Sequence, residues 1–329
     1  MAVRGVRVWL LAVLAQVGLF ASPATAQTIG FWLDNDLFSG SDRYYTNGVQ
    51  FYYLSRARPE LGVMDWLADR VPGGLPEPAA RRYGFALGQN IYTPEDTRRR
   101  ELIRDDRPYA GWLYGRLSLL SEAPRRVDRI DIDLGVVGPA SLAEPTQKAV
   151  HRVVPGAVWP EGWRNQLRNE PGVVLSYERV WRDERPGTLG PFQADVSPHA
   201  AFAVGNVLTF AGGGATVRLG GNMPPPVGAL VMRPTTALPY EDADPARFSW
   251  YVYAAAEARL VARNIFLDGN SFVSSHGVRR IPVVGSAQLG VTVRYGRLGV
   301  TYAHNLLTPE FEGQKGIASF GSVRVTLQF

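Results

Sequence analysis

The sequence predicts an all-β protein: a 12-stranded antiparallel transmembrane β-barrel with a short helix in an extracellular loop. Three observations predict it. Beyond the N-terminus no segment supplies the roughly 18 uninterrupted apolar residues that a membrane-spanning helix requires. What recurs instead is runs of about ten residues that alternate apolar and polar, rich in Val, Tyr, Phe, Leu and Thr and separated by Gly, Pro, Asn and Asp clusters. The last run, Gly321-Ser322-Val323-Arg324-Val325-Thr326-Leu327-Gln328-Phe329, is apolar at every second position and ends on an aromatic, leaving one face for lipid and one for a polar interior.

The chain begins with Arg4 and Arg7, then an almost wholly apolar stretch over 8–20, then Ala24-Thr25-Ala26, the small-x-small form of a signal-peptidase site. Residues 1–26 are thus read as a signal peptide and 27–329 as the barrel. Without Arg4 and Arg7 the chain keeps 33 basic against 30 acidic residues, so its formal charge falls from +5 to +3. So small and dispersed an excess argues against a nucleic-acid partner. There is no cysteine, so an exported chain of this kind is stabilised by a core, a metal or a membrane rather than by disulfides.

Twelve alternating runs are found: 28–33, 48–56, 82–89, 112–121, 129–137, 172–181, 193–203, 208–218, 248–261, 282–295, 298–305 and 319–329. An even count suits an up-and-down barrel with both termini periplasmic, which sends every connection after an odd-numbered strand to the outside. That outer set is 34–47, 90–111, 138–171, the turn at Gly205 and Asn206, 262–281 and 306–318, and it holds the densest polar clusters. The long connections 57–81 and 220–247 fall on the periplasmic side.

In the first outer connection, 34–48, three aspartates, two asparagines, a threonine and two glycines suit a cation or a polar head group, or a plain hairpin whose aspartates cap turns. The second carries Arg98-Arg99-Arg100 and Arg104-Asp105-Asp106-Arg107, either phosphate-binding arginines or a loop whose arginines pair with its own acids. The third reads as a helix over 139–154, with Ser141 and Glu144 as a capping signal and Pro145 in the first turn. Gln147 and His151, four apart, share a helix face. A loop histidine is often only solvated, yet His151 sits where the segment can fold back over the barrel mouth, and imidazole is the usual general base near neutral pH.

At these residues the chain resembles the lipid A 3'-O-deacylases of Gram-negative outer membranes. The matching pieces are Asp34-Asn35-Asp36 with Asp42-Arg43-Tyr44-Tyr45-Thr46-Asn47-Gly48; Asp106-Arg107-Pro108-Tyr109-Ala110-Gly111-Trp112; Gly135-Val136-Val137-Gly138-Pro139 followed by Gln147 and Ala149-Val150-His151-Arg152; Gly162-Trp163 with Asn165-Gln166-Leu167 and Asn169-Glu170-Pro171-Gly172; and Gly205-Asn206 before Gly214-Ala215-Thr216-Val217-Arg218-Leu219-Gly220. They follow family order over nearly the whole mature chain. The resemblance implies a site between the barrel wall and a loop helix at the outer face of the Gram-negative outer membrane, and calcium-dependent hydrolysis of the ester holding the 3'-acyloxyacyl group of lipid A within lipopolysaccharide. It implies His151 as the base that activates water, with Asn35, Asp36, Thr46 and Gln147 as polar active-site partners. Asp36 and Asn35 are the implied calcium ligands, completed by Glu161, by Glu170 or by backbone carbonyls, and Arg99 and Arg107 the implied head-group contacts; a monomer is expected. One departure stands out: where a family member has a Glu shortly after the helix histidine, this chain reads Pro155-Gly156-Ala157-Val158, and the nearest acids are Glu161 and then Glu170.

Two other readings compete. An outer-membrane phospholipase with a serine nucleophile places Ser two residues after His on one strand, a spacing absent at His151, His199, His276 and His304. A porin-like or structural barrel calls for charges along the strand interiors, whereas these strands read as small or uncharged on their inner faces, with the charge in the loops.

Overall fold

The computed structural model describes residues 27–36, 44–57, 80–154, 157–182, 186–226 and 246–329, with single positions at 62, 66 and 70. The signal segment 1–26, residues 37–43 of the acidic hairpin, and most of the long connections 57–81 and 220–247 lie outside the described residues.

Each alternating run forms a strand. In chain order these are β1 Thr28–Asn35, β2 Tyr44–Leu54, β3 Ala80–Thr93, β4 Ala110–Ala123, β5 Arg126–Val137, β6 Glu170–Trp181, a three-residue β7 Gly187–Leu189, β8 Phe192–Gly205, β9 Leu208–Gly221, β10 Ser249–Asn264, β11 Val283–Tyr295, β12 Leu298–Leu307 and β13 Ala318–Gln328. Every strand pairs antiparallel with its neighbour. β1 closes on β13 and β6 on β8, while β7 only extends the β8 hairpin. The result is a closed barrel of twelve strands, and closure removes the edges that lipid cannot satisfy. No helix among the described residues is long and apolar enough to cross a membrane.

The alternation sorts side chains between lipid and interior. On β10, Tyr251, Tyr253, Glu257 and Arg259 are buried inside while Val252 and Leu260 are exposed outside. Elsewhere Phe51, Phe85, Leu87, Leu134, Val204 and Leu289 stand exposed on the outer surface, an apolar belt suited to acyl chains.

The interior differs from the sequence expectation. It is densely charged: Arg116 pairs with Asp133 at 2.5 Å, Arg82 with Glu122 at 2.8 Å, Arg129 with Asp131 at 2.9 Å, Arg218 with Asp195 at 2.5 Å and His199 with Glu257 at 2.9 Å. The partners sit on adjacent strands, two residues apart or, for His199 on β8 and Glu257 on β10, on either side of β9, so they meet only once register is set, and burial is offset by pairing. Charge along the strands therefore does not separate a porin from an enzyme here. Occlusion does. The inward side chains are shut off from solvent from one rim to the other, and a void among Tyr45, Tyr92, Arg259 and Phe320 measures about 30 Å³, room for a water or two.

One mouth is sealed by a second device. The loop after β5 carries the helix α1, Ala143–Val153, and after β10 the chain turns into a single-turn helix, α2, Ile265–Asp268. The Asn264 side chain caps α2 by accepting from the Phe266 amide at 3.1 Å, and Ile265, Phe266 and Leu267 are buried in the opening. Phe266 stacks on Tyr92 with ring centroids 4.1 Å apart, and Tyr92 and Phe320 each pack against Tyr45. Arg107 enters the same plug, its side chain fully buried, donating to Glu310 at 3.2 Å with its guanidinium 5.1 Å from the Tyr92 ring. The expectation that Arg107 contacts a head group is therefore corrected: it lies inside the barrel mouth. Truncating its partner with Glu310→Ala leaves a buried cation unpaired and is expected to destabilise the barrel by about 3–5 kcal/mol, read as a lower urea midpoint for the folded, fast-migrating form on unheated gels.

The two described ends, Gln27 and Phe329, bond to each other at 2.9 and 3.0 Å at the opposite rim. The connections predicted to share one side, 94–109, 138–169, 206–207, 265–282 and 308–317, all lie at the rim carrying α1 and α2.

Candidate active site

The loop between β5 and β6 folds down against the outside of the wall, not over the mouth. Residues 139–141 form a single tight turn, and α1 then runs from a Leu142 cap in the left-handed region, φ 59° and ψ 21°. Ser141 is not the cap its spacing suggests, because its hydroxyl donates to the Gly138 carbonyl at 2.6 Å and leaves α1 without a side-chain cap. Glu144 instead stabilises the helix one turn on, through Lys148 at 2.5 Å. Ala143, Gln147 and His151 form its buried stripe, spaced i, i+4, i+8.

What this stripe faces follows from strand parity. On β1 to β3 the odd-numbered residues point outward, as exposed Ile29, Phe51, Phe85 and Leu87 show. Register aligns Asn35 with Asn47, Asn47 with Ile91 and Ile91 with Gly111, one outward row across four strands. Ile91 is buried in one cluster with Ala143, Tyr109 and Trp163. A Cβ on Gly111 would stand 2.3 Å from the Ala143 Cβ and 2.1 Å from the Ser141 hydroxyl, so only glycine lets α1 sit this close to β4. The eight residue steps from Ala143 to His151 then carry the stripe about 12 Å, the width of two to three strands.

On the same outer face a β-bulge re-aims a threonine. Pairing of β2 with β3 slips between Tyr45 and Asn47, and the extra residue, Thr46, meets Thr93 hydroxyl to hydroxyl at 2.7 Å. Asn35, Thr46, Asn47 and Thr93 are polar side chains on a lipid-type face, yet all are buried, at 9, 3, 7 and 0 % exposure. Asp36 follows at the end of β1, buried to 1 %. Of the residues singled out from sequence, Asn35, Thr46, Gln147 and His151 thus share the outer wall at one rim, with Asp36 beside them in the chain.

Two hydrogen bonds give α1 its chemistry. His151 Nδ1 lies 2.5 Å from the Val158 carbonyl. A carbonyl only accepts, so Nδ1 carries the proton and Nε2 is left with its lone pair. One turn earlier, Trp163 Nε1 donates to Gln147 Oε1 at 2.8 Å. The indole cannot accept, so the amide orientation is fixed, and the buried Gln147 Nε2 has no hydrogen-bond partner among the described residues. A base and an unspent donor therefore stand one turn apart on one face. Neither Val158 nor Trp163 was singled out as a site residue from sequence, although Gly162-Trp163 belongs to the matched motif.

The remaining expected residues behave differently. Arg100 donates to Glu161 at 2.5 Å, and this hydrogen bond holds the Glu161 carboxyl below its usual range. Glu161 is therefore committed to an arginine rather than offered to a cation. Glu170, the second acid considered, accepts from Asn206, Asn270 and the Ser271 amide at 2.9, 3.0 and 2.7 Å and ties three connections together. No trio of His, Asp or Glu that could hold a metal occurs among the described residues. Arg99 is exposed and, unlike Arg98 and Arg100, has no acid partner among the described residues. A last pair escaped the sequence test for serine two residues after histidine: His304 Nε2 lies 2.9 Å from Ser319 Oγ across β12 and β13, on the outer face.

The profile of the family described as outer membrane protein LpxR matches residues 8–329. The chain belongs to the LpxR outer membrane protein family. Among solved structures, LpxR from Salmonella typhimurium matches with a TM-score of 0.74 at 22 % identity, covering 92 % of this chain and 100 % of that one, a shared fold. The β domain of the Bordetella autotransporter BrkA matches with a TM-score of 0.42 at 9 % identity, over 93 % of this chain and 99 % of that one. No curated protein matches. As an LpxR-family barrel with an apolar belt, the protein is an outer-membrane protein. In the stretch that follows the helix histidine, this chain supplies the Val158 backbone carbonyl to the imidazole.

Proposed function

We propose that this protein is a lipid A 3'-O-deacylase that works as a monomer at the outer face of the outer membrane. The observation that carries the reading is the His151–Gln147 pair beneath α1: an imidazole fixed with Nε2 free, and a buried amide whose N–H groups are unspent. Placed against the outside of the wall, such a pair meets lipid laterally, which suits an ester located where sugar joins acyl chain.

His151 Nε2 takes a proton from water, and the hydroxide adds to the ester carbonyl. Charge gathers on the carbonyl oxygen, where Gln147 Nε2 supplies a preorganised donor. Collapse breaks the bond between the carbonyl carbon and the sugar 3'-oxygen, and His151 returns its proton to that oxygen. The products are the free acyloxyacyl acid and a 3'-hydroxyl. The Val158 carbonyl keeps the ring in one tautomer and stabilises the imidazolium in between. Arg99, unpaired and exposed in the 94–109 connection, is suited to a head-group phosphate.

Calcium is the cofactor proposed with this reading. Asn35, Asp36 and Thr46 offer hard oxygens of the kind calcium prefers, one carboxylate among neutral donors, at neighbouring strand ends. Bound there, the ion would supply a Lewis acid at the ester carbonyl. Glu161 is not included, since Arg100 holds it.

The test is mass spectrometry of lipid A from a Gram-negative host expressing the protein. The 3'-acyloxyacyl group should disappear, and chelation of calcium or Asp36→Ala should restore it. A second reading rests on His304 and Ser319, whose 2.9 Å contact has the geometry of a serine nucleophile and its base. Among the described residues, however, His304 has no second partner to orient its ring. Intact lipid A accompanied by fatty acid freed from phospholipid would favour this pair and sink the deacylase.

A further inference from the structure

Beyond the ends of the strands, at the rim that carries α1, the connections 94–109, 138–169 and 265–282 enclose a crevice of about 630 Å³. Its wall includes Trp163, the residue whose indole donates to Gln147, so the crevice and the buried face of α1 share a side chain. Arg164 and Arg168 line it and are exposed, and neither has a carboxylate partner among the described residues. Arg164 spends its Nε on the Arg100 carbonyl at 3.1 Å, which leaves the outer guanidinium nitrogens to face solvent. Arg168 is held by its backbone alone, its N–H donating to Asn270 Oδ1 at 2.9 Å and its carbonyl accepting from Asn270 Nδ2 at 2.9 Å, so its side chain is anchored at the root and free at the tip. Glu144, the acid in the described wall, is already neutralised by Lys148.

A further stretch of the lining bears hydroxyls. It consists of Ser274, Ser275 and His276, and His276 Nε2 donates to the Asp106 carbonyl at 2.8 Å, which pins this wall to the 94–109 connection. Hydroxyls, two arginine forks and the apolar edge of Trp163 in one lining suit a polyhydroxylated ring with an acidic group. Apolar ring faces meet the aromatic, hydroxyls meet serines, and a carboxylate or phosphate meets a planar guanidinium. The volume is that of a site for a small molecule rather than for a single ion.

We infer that this crevice binds the acidic sugar units attached to the head group of the lipid substrate, acting as a second subsite next to the ester-cleaving one. The inference rests on the deacylase reading for its choice of ligand, but it makes its own demand: the full chain should bind the sugar portion without any acyl chain. A sugar held here shares Trp163 with the face of α1 that carries Gln147. The crevice thus selects lipids by what their head group carries.

The test uses the full chain folded in detergent and delipidated, acid-bearing core oligosaccharide as the probe, with binding followed by calorimetry. The native chain should bind, added salt should weaken binding, and Arg168→Glu should weaken it roughly tenfold or more, the effect expected of losing a charge-assisted hydrogen bond and gaining a like charge. In parallel, kcat/KM is measured on lipid A with its acidic sugars and on the same lipid A stripped of them by mild acid, and the ratio of the two should fall by a similar factor in Arg168→Glu. Absence of binding by the native chain, or equal binding by native and variant chains, overturns the inference. Oligosaccharide binding without release of 3'-acyl chains overturns the deacylase reading and leaves the crevice standing.

Discussion

Replacing His151 by Ala is expected to lower 3'-acyl release by about 10²–10⁴-fold, the usual worth of a positioned general base, with no loss of the folded form on unheated gels. The reason is specific to the bond at Nδ1. Because the Val158 carbonyl can only accept, it enforces the tautomer in which Nε2 is basic, and no side chain is needed to do so. His151 is buried by the wall rather than building it, so its loss removes a ring without removing a strand contact. The other outer-wall imidazole among the described residues, His304 on β12, cannot stand in, since its Nε2 is engaged by Ser319. Ser319→Ala provides the contrast: the deacylase reading expects it to keep full 3'-acyl release, whereas the serine-nucleophile reading expects it to be dead. A His151→Ala enzyme within a fewfold of the native rate would remove the base from the mechanism.

The barrel was legible because its signal is periodic and repeated. Each of the twelve runs carries its own alternation, and the expected segments coincide with strands that mostly extend a few residues further toward the α1 rim, as in β2, β3 and β10. The interior charges were not legible for the same reason that they are stable. Arg116 and Asp133 lie 17 residues apart and become a pair only when β4 and β5 are set in register. A sequence shows each charge singly and shows nothing of its partner. Arg107 is the same case at the mouth: its letter announces a cation, but its burial depends on Glu310, 203 residues on, and on Tyr92.

At the site, the helix and its i, i+4 pair could be read directly, because helical spacing is local. The bulge that turns Thr46 onto the outer face could not, since it is a mismatch between β2 and β3 rather than a property of either. Nor could the orienting partner of His151, because a backbone carbonyl has no letter of its own. Ser141 misled for a physical reason. Its hydroxyl has two possible partners within reach, and the turn at 139–141 offers the Gly138 carbonyl before the helix offers an amide.

Replacing Gln147 by Leu is expected to lower kcat by about 10²–10³-fold, the range for loss of one oxyanion donor, while leaving KM nearly unchanged. The amide is buried, its oxygen is taken by the Trp163 indole, and its nitrogen has no partner among the described residues. An unsatisfied buried donor is costly to keep, on the order of 1–3 kcal/mol, so a fold that keeps one in a fixed orientation holds a group whose partner arrives with the reaction. Leu fills the same space and removes the orphan Nε2, but it also takes the acceptor from the buried Trp163 indole N–H, so the two costs offset and the Gln147→Leu variant should keep a stability close to the native protein's while being far slower. A large loss of rate beside a nearly unchanged stability is what a purely structural glutamine would not produce. Gln147→Glu sharpens the test. One carboxylate oxygen can still accept from Trp163, but the other then faces the developing oxyanion with like charge, so this variant should be slower than Gln147→Leu. Trp163→Phe removes the indole N–H and lets the amide turn over, so donor and acceptor compete for the same direction and the loss should be smaller, about tenfold. The order of decreasing rate, Trp163→Phe, then Gln147→Leu, then Gln147→Glu, follows from the single 2.8 Å bond that fixes which end of the amide is free; a Gln147→Leu variant as fast as the native enzyme would show that the free end never meets the substrate.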